Sequence, residues 1–139
     1  MISALIRFTR LTATERALRV EAAALCAIAG PGLEIARTET VAGWLGAWLG
    51  PRDDAPAVEI ARAIDAASRR VPFADRCLPR ALVAQAMLTR RGHPADVHLG
   101  VARPGGRFTA HAWTTVDGAI VIGGEAAADH VPLHVLGPT

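Results

Sequence analysis

At 139 residues the chain is the size of one domain, and 51% of it is apolar, enough for a substantial core. The formal net charge is only +2, and the basic residues are arginines spread along the chain, so nucleic-acid binding is not indicated. No apolar run approaches the roughly 20 residues of a membrane span, no signal-peptide pattern opens the chain, and no zinc-type spacing or cofactor motif is present.

The first elements read as helices. Thr12 and Glu15 form a capping box, after which Leu18, Ala22, Leu25, Cys26 and Ala29 recur at helical spacing. Gly30-Pro31-Gly32 is expected to stop that helix. A second helix is expected over Thr40–Leu49, with Val41, Trp44, Leu45, Trp48 and Leu49 on one face, ended by Gly50-Pro51; the stripe reads as core, with a docking surface at Trp44 and Trp48 the alternative. Asp53, Asp54 and Pro56 open a third, whose stripe is Ile60, Ala61, Ile64 and Ala67. A fourth starts around Leu78-Pro79 and runs to Arg91, with Gly92 as its stop. Being apolar nearly all round, it belongs in the middle of the domain.

The period then changes. Val97, Leu99 and Val101 alternate with His98 and Gly100, and Pro104-Gly105-Gly106 is a turn. Phe108–Val116 reads as a strand, Asp117-Gly118 as a two-residue hairpin turn, and Ala119–Ile122 as the return strand. Val131, Leu133 and Val135 suggest one more. The order is α+β: a single domain, 1–139, with a helical half at 1–70 and a buried helix plus small antiparallel sheet at 71–139.

Cys77 falls at the start of the buried helix. Free N–H groups at that tip, with Arg76 and Arg80 beside it, favour the nucleophilic thiolate and would receive a developing oxyanion. The plain alternative is a small core residue. His111 lies mid-strand between two alanines and shares its face with Trp113, so a rigid strand would hold an imidazole base there. Its plain alternative is a core or edge histidine. The two cysteines make no disulfide framework, and free thiols point to a reducing, cytoplasmic setting.

Several separated motifs keep one order and spacing. They are Cys77-Leu78-Pro79-Arg80-Ala81-Leu82, the Leu88–Ala95 run, His98-Leu99-Gly100-Val101, and Ala110-His111-Ala112-Trp113 ahead of Val116-Asp117-Gly118. Together they resemble the lasso-peptide leader peptidases, cysteine proteases of the transglutaminase-like (papain-like) superfamily. The resemblance implies that Cys77 is the nucleophile and His111 the base. It implies cleavage of one peptide bond between leader and core of a ribosomally made precursor, before cyclisation by a separate ATP-dependent enzyme. No cofactor or metal is implied.

The family pattern implies a third, carboxylate member at a position that here is Gly123. Glu125 is the candidate substitute, brought opposite His111 by a bulge at Gly123-Gly124. Asp117 sits six strand residues from His111, about 20 Å, and reads as a turn residue instead. A backbone carbonyl or water is a further candidate to orient His111. Nothing before the first helix reads as the small leader-binding domain that some of these peptidases carry. The resemblance therefore implies a separate leader-binding, recognition-element protein as partner beside the precursor peptide, with the lasso cyclase a further candidate. Other thiol amidases or acyltransferases on this fold, and a non-catalytic scaffold subunit, are the competing readings. The catalytic reading requires the helix tip bearing sulfur to meet the strand bearing the imidazole.

Overall fold

The computed structural model describes residues 1–48, 53–102, 104–124 and 130–138. Among these residues five α-helices precede four strands: α1 Ile2–Thr9, α2 Ala13–Ile35, α3 Thr38–Gly46, α4 Ala57–Ser68, α5 Cys77–Arg90, β1 Ala95–Ala102, β2 Thr109–Val116, β3 Ala119–Ile122 and β4 Val131–Leu136. The strands form one antiparallel sheet in the order β3-β2-β1-β4. This is the α+β arrangement expected from the sequence.

The capping box forms as expected: Thr12 N–H donates to the Glu15 carboxylate at 2.8 Å, and Glu15 N–H donates to Thr12 Oγ1 at 3.1 Å. The expected stop at Gly30-Pro31-Gly32 does not occur, and α2 continues through Pro31 to Ile35. Packing overrides the local signal. A Cβ at Gly30 would lie 2.6 Å from the Pro72 carbonyl, so glycine lets the chain before α5 press onto this helix. The second predicted helix, α3, is shifted toward the N-terminus, to Thr38–Gly46, and Leu49 lies outside the described residues. Val41 and Leu45 are buried, but Trp44 and Trp48 are 45% and 36% exposed, so the core stripe is narrower than expected. The ring of Trp44 instead overlies Gly32, where no side chain stands in its way. α1 has no counterpart in the sequence reading; it buries none of its residues.

α5 is the centre of the domain. Ala81, Leu82, Val83, Ala84, Met87 and Leu88 are all buried and join α2, α3 and α4 to the inner face of the sheet. Gly92, at φ +82°, ends it with two back-bonds: His93 N–H to the Leu88 carbonyl and Gly92 N–H to that of Thr89. Just before that stop, Arg91 pairs with Glu21 at 2.5 Å and with Asp53 at 2.6 Å, tying the end of α5 to α2 and to the chain leading into α4. Burial disfavours the Arg91 charge, yet its hydrogen bonds and charge attraction to Glu21 and Asp53 prevail and raise its pKa.

Two polar contacts fix how α5 lies on the sheet. Thr114 Oγ1 donates to the Ala81 carbonyl at 2.8 Å. The Gln85 amide nitrogen lies 2.8–3.1 Å from the carbonyls of Leu136, Gly137 and Ala95, bracketing the end of β4 and the start of β1. The β2–β3 turn has Asp117 at φ +51° and Gly118 at φ +80°, the left-handed pair that a tight hairpin needs, and Val116 faces Ala119. The expected bulge at Gly123-Gly124 is not the one that forms between these strands. The register shifts one step earlier, where Thr115 faces Ile120 and Thr114 faces Ile122, leaving Val121 as the extra residue.

Candidate active site

Cys77 is the first residue of α5, half-buried against the edge of the core. Arg76 precedes it with extended backbone, as a helix-capping position requires, but supplies no side-chain cap. The N–H groups of Cys77 and Leu78 are therefore orphan donors of the first turn, and Pro79 has none to give. A helix N-terminus of this kind favours negative charge, whether thiolate or oxyanion.

The flanking arginines are less free than the sequence suggests. Arg76 pairs with Glu34 at 2.5 Å and lies over the Phe73 ring, and Arg80 pairs with Asp65. Each carboxylate offsets part of the positive field expected at the thiol. The α5 backbone is thus the unopposed contribution at that tip.

His111 sits on β2, directly opposite Gly100 of β1. Its Nε2 lies 2.9 Å from the Gly123 carbonyl. Its ring stacks on Trp113 at a centroid separation of 6.0 Å, and Trp113 in turn stacks on His98 at 5.4 Å. His98 is held from the other side by Thr115 at 2.8 Å. His130 closes over His111 at 5.2 Å. A Cβ at Gly100 would lie 2.8 Å from the Trp113 ring, so the absence of a side chain there makes room for the indole.

The thiol and the imidazole lie at the same end of the α5–β2 contact. From Gln85 back to Ala81, the neighbouring sheet positions move from the level of Val116, which faces Ala95, to Thr114. One further helical turn reaches Cys77, and the same direction along β2 leads to His111. Strand alternation, however, sends the two sides of β2 to different places. Ala112 and Thr114 face α5, whereas His111, Trp113 and Thr115 share the other face. Among the described residues, Cys77 and His111 are not hydrogen-bonded to each other.

Glu125, the expected third member, lies outside the described residues. Asp117 occupies the hairpin turn, where its backbone conformation accounts for it. The stack of His98, Trp113 and His111, with His130 over it, is not anticipated from the sequence. The alternation of His98 and Trp113 was visible, but their register was not. His130 follows a segment with no periodic signal.

A thiol at the tip of a buried helix, on an antiparallel sheet whose second strand carries a histidine, defines a candidate thiol-dependent acyl-transfer centre. Residues 18–135 match the Transglutaminase-like superfamily, and the chain belongs to that family. The superfamily typically consists of cysteine-dependent enzymes and includes both peptidases and acyltransferases. Neither a curated protein nor a solved structure matches the chain significantly. No helix among the described residues is long and apolar enough to cross a membrane.

Proposed function

We propose that the protein is a cysteine peptidase that removes the leader from a ribosomally made lasso-peptide precursor. Cys77 Sγ attacks the scissile carbonyl, and the N–H groups of Cys77 and Leu78 receive the oxyanion. His111 takes the thiol proton and returns it to the leaving amine. Water then hydrolyses the thioester, releasing the leader acid and regenerating the thiol. The freed core amine passes to a separate ATP-dependent cyclase. The substrate is the precursor peptide, presented by a separate leader-binding protein, and the setting is cytoplasmic.

The observation that carries this reading is Cys77 at the first residue of α5, within a chain of the transglutaminase-like family. The ordered motifs from Cys77 to Gly118 support the narrower substrate assignment. Sγ and the imidazole are not hydrogen-bonded to each other, and His111 is on the face of β2 away from α5, so this reading requires the ring to reach Sγ when substrate binds. The test is cleavage of precursor in the presence of the leader-binding protein, followed by mass spectrometry. Wild type should release leader acid and free core, and Cys77→Ala should release neither. Letting a primary amine compete with water separates a peptidase from an acyltransferase, since the former gives mainly the acid and the latter mainly the amide adduct.

One observation favours a second reading, a non-catalytic subunit: His111 is on the face of β2 that turns away from α5. Iodoacetamide distinguishes the two. An activated Cys77 is alkylated rapidly at neutral pH, whereas a scaffold's thiol is inert.

A further inference from the structure

We infer that the backbone carbonyl of Gly123 is the positioning group for His111, standing where a carboxylate side chain would otherwise hold the base. The inference rests on the reading of His111 as the base and concerns how its ring is fixed.

Nε2 lies 2.9 Å from the Gly123 oxygen. A carbonyl has no hydrogen to give, so Nε2 must donate. The ring nitrogen at that side is therefore protonated, and in the neutral ring Nδ1 carries the lone pair. Under the peptidase reading, Nδ1 is then the one nitrogen left to take a thiol proton. Only one hydrogen sits on Nε2, and Gly123 accepts it.

The backbone at Gly123 explains why main chain occupies this place. Its φ is +86°, a conformation that favours glycine. A Cβ there would lie 2.9 Å from the Ala112 carbonyl oxygen, 2.9 Å from Trp113 Cβ and 3.1 Å from Trp113 Cα. All three atoms belong to β2 itself, and the backbone among them cannot give way cheaply. No side chain, acidic or otherwise, fits at this position in this conformation. The close approach that excludes a side chain is also what brings the carbonyl within reach of the ring. The Trp113 stack then sets the ring plane, so the imidazole is held both along its edge and over its face.

The direct test is long-range proton–nitrogen correlation NMR of the full chain labelled at histidine nitrogens. Near pH 8, His111 should show the tautomer protonated at Nε2, with a downfield, hydrogen-bonded proton. A tautomer protonated at Nδ1 would overturn the inference. The second measurement replaces the Gly123–Gly124 amide by an ester, using glycolic acid in place of Gly124. This weakens the Gly123 carbonyl as an acceptor and adds no side chain. The Nε2 proton should move upfield, and kcat should fall about five-fold, the size of one weakened hydrogen bond, with KM little changed. An unmoved Nε2 proton in the ester, or an equal movement caused by Glu125→Gln, would overturn the assignment. The tautomer readout needs no turnover, so failure of the peptidase reading and failure of this one are separable.

Discussion

The two cysteines show how little the residue type decides. Cys26 lies within α2, fully buried in the core. Burial pushes its thiol up to about 11, although Arg80 pulls the other way. Cys77 lies half-buried at the first residue of α5, beside N–H groups that no helical carbonyl satisfies. A sulfur inside a helix has only neighbours to pack against; a sulfur at the start of one has donors to work with. The region of Cys26 holds the fold together, and the region of Cys77 is where chemistry is possible.

That division can be broken outright by the strongest substitution. Cys77→Ala should reduce precursor cleavage at least about 10³-fold while leaving the unfolding midpoint within a degree or two of wild type. Retained cleavage, followed by mass spectrometry, would dissolve the contrast. His111→Ala should cost about 10²–10⁴-fold in kcat, the usual range for a lost general base. The complementary change sits on α2. Glu21→Ala leaves the buried Arg91 without its main partner; their side chains are only 3% and 1% exposed. It should destabilise the fold by about 3 kcal/mol in denaturant unfolding.

The smaller effects sharpen the comparison. Below pH 9 the Cys26 thiol is protonated in both folded and unfolded chains. Between the ordinary value of 9.0 and the folded value of about 11, the unfolded chain loses the proton first, so stability falls as pH rises through that window. The chain has no tyrosine and no lysine, so few other groups titrate there. Thermal melts from pH 8 to 11 should show this decline in wild type and a flatter one in Cys26→Ala. Smallest of all, Asp117→Asn should change neither activity nor stability beyond about 0.5 kcal/mol, because asparagine tolerates the same turn conformation.

Much of the fold was readable because its signals are local. The capping box, the Gly92 stop and the Asp117-Gly118 turn each rest on a few adjacent residues, and each formed as expected. The failures came where distant chain decides. Pro31 carries a strong stop signal, but the segment at Pro72–Ala74 packs against Gly30 and the helix runs on. Trp44 and Trp48 have core-like spacing, yet α3 buries only Val41, Ala42 and Leu45, leaving Trp44 on its outer side, and it ends before Trp48. At the candidate site, residue type and position in the sequence single out Cys77 and His111 as candidates. Their relation across β2 was not legible, since the side of the sheet that α5 covers is set by the Thr114–Ala81 contact. A backbone carbonyl was among the candidates to orient His111, but which one was hidden for a different reason: a main-chain oxygen has no letter in the sequence.

Position 123 should therefore respond to mutation unlike the carboxylate of a catalytic triad. Where an aspartate side chain serves, the loss follows the chemistry of the replacement, and even the isosteric asparagine is costly because it favours the wrong imidazole tautomer. Here every one of the nineteen replacements brings a Cβ, or proline's ring, into the Ala112–Trp113 backbone, so tolerance should be uniformly poor and blind to charge. A lineage holding this arrangement cannot regain an acid at that place by one codon change; the hairpin would have to be rebuilt first.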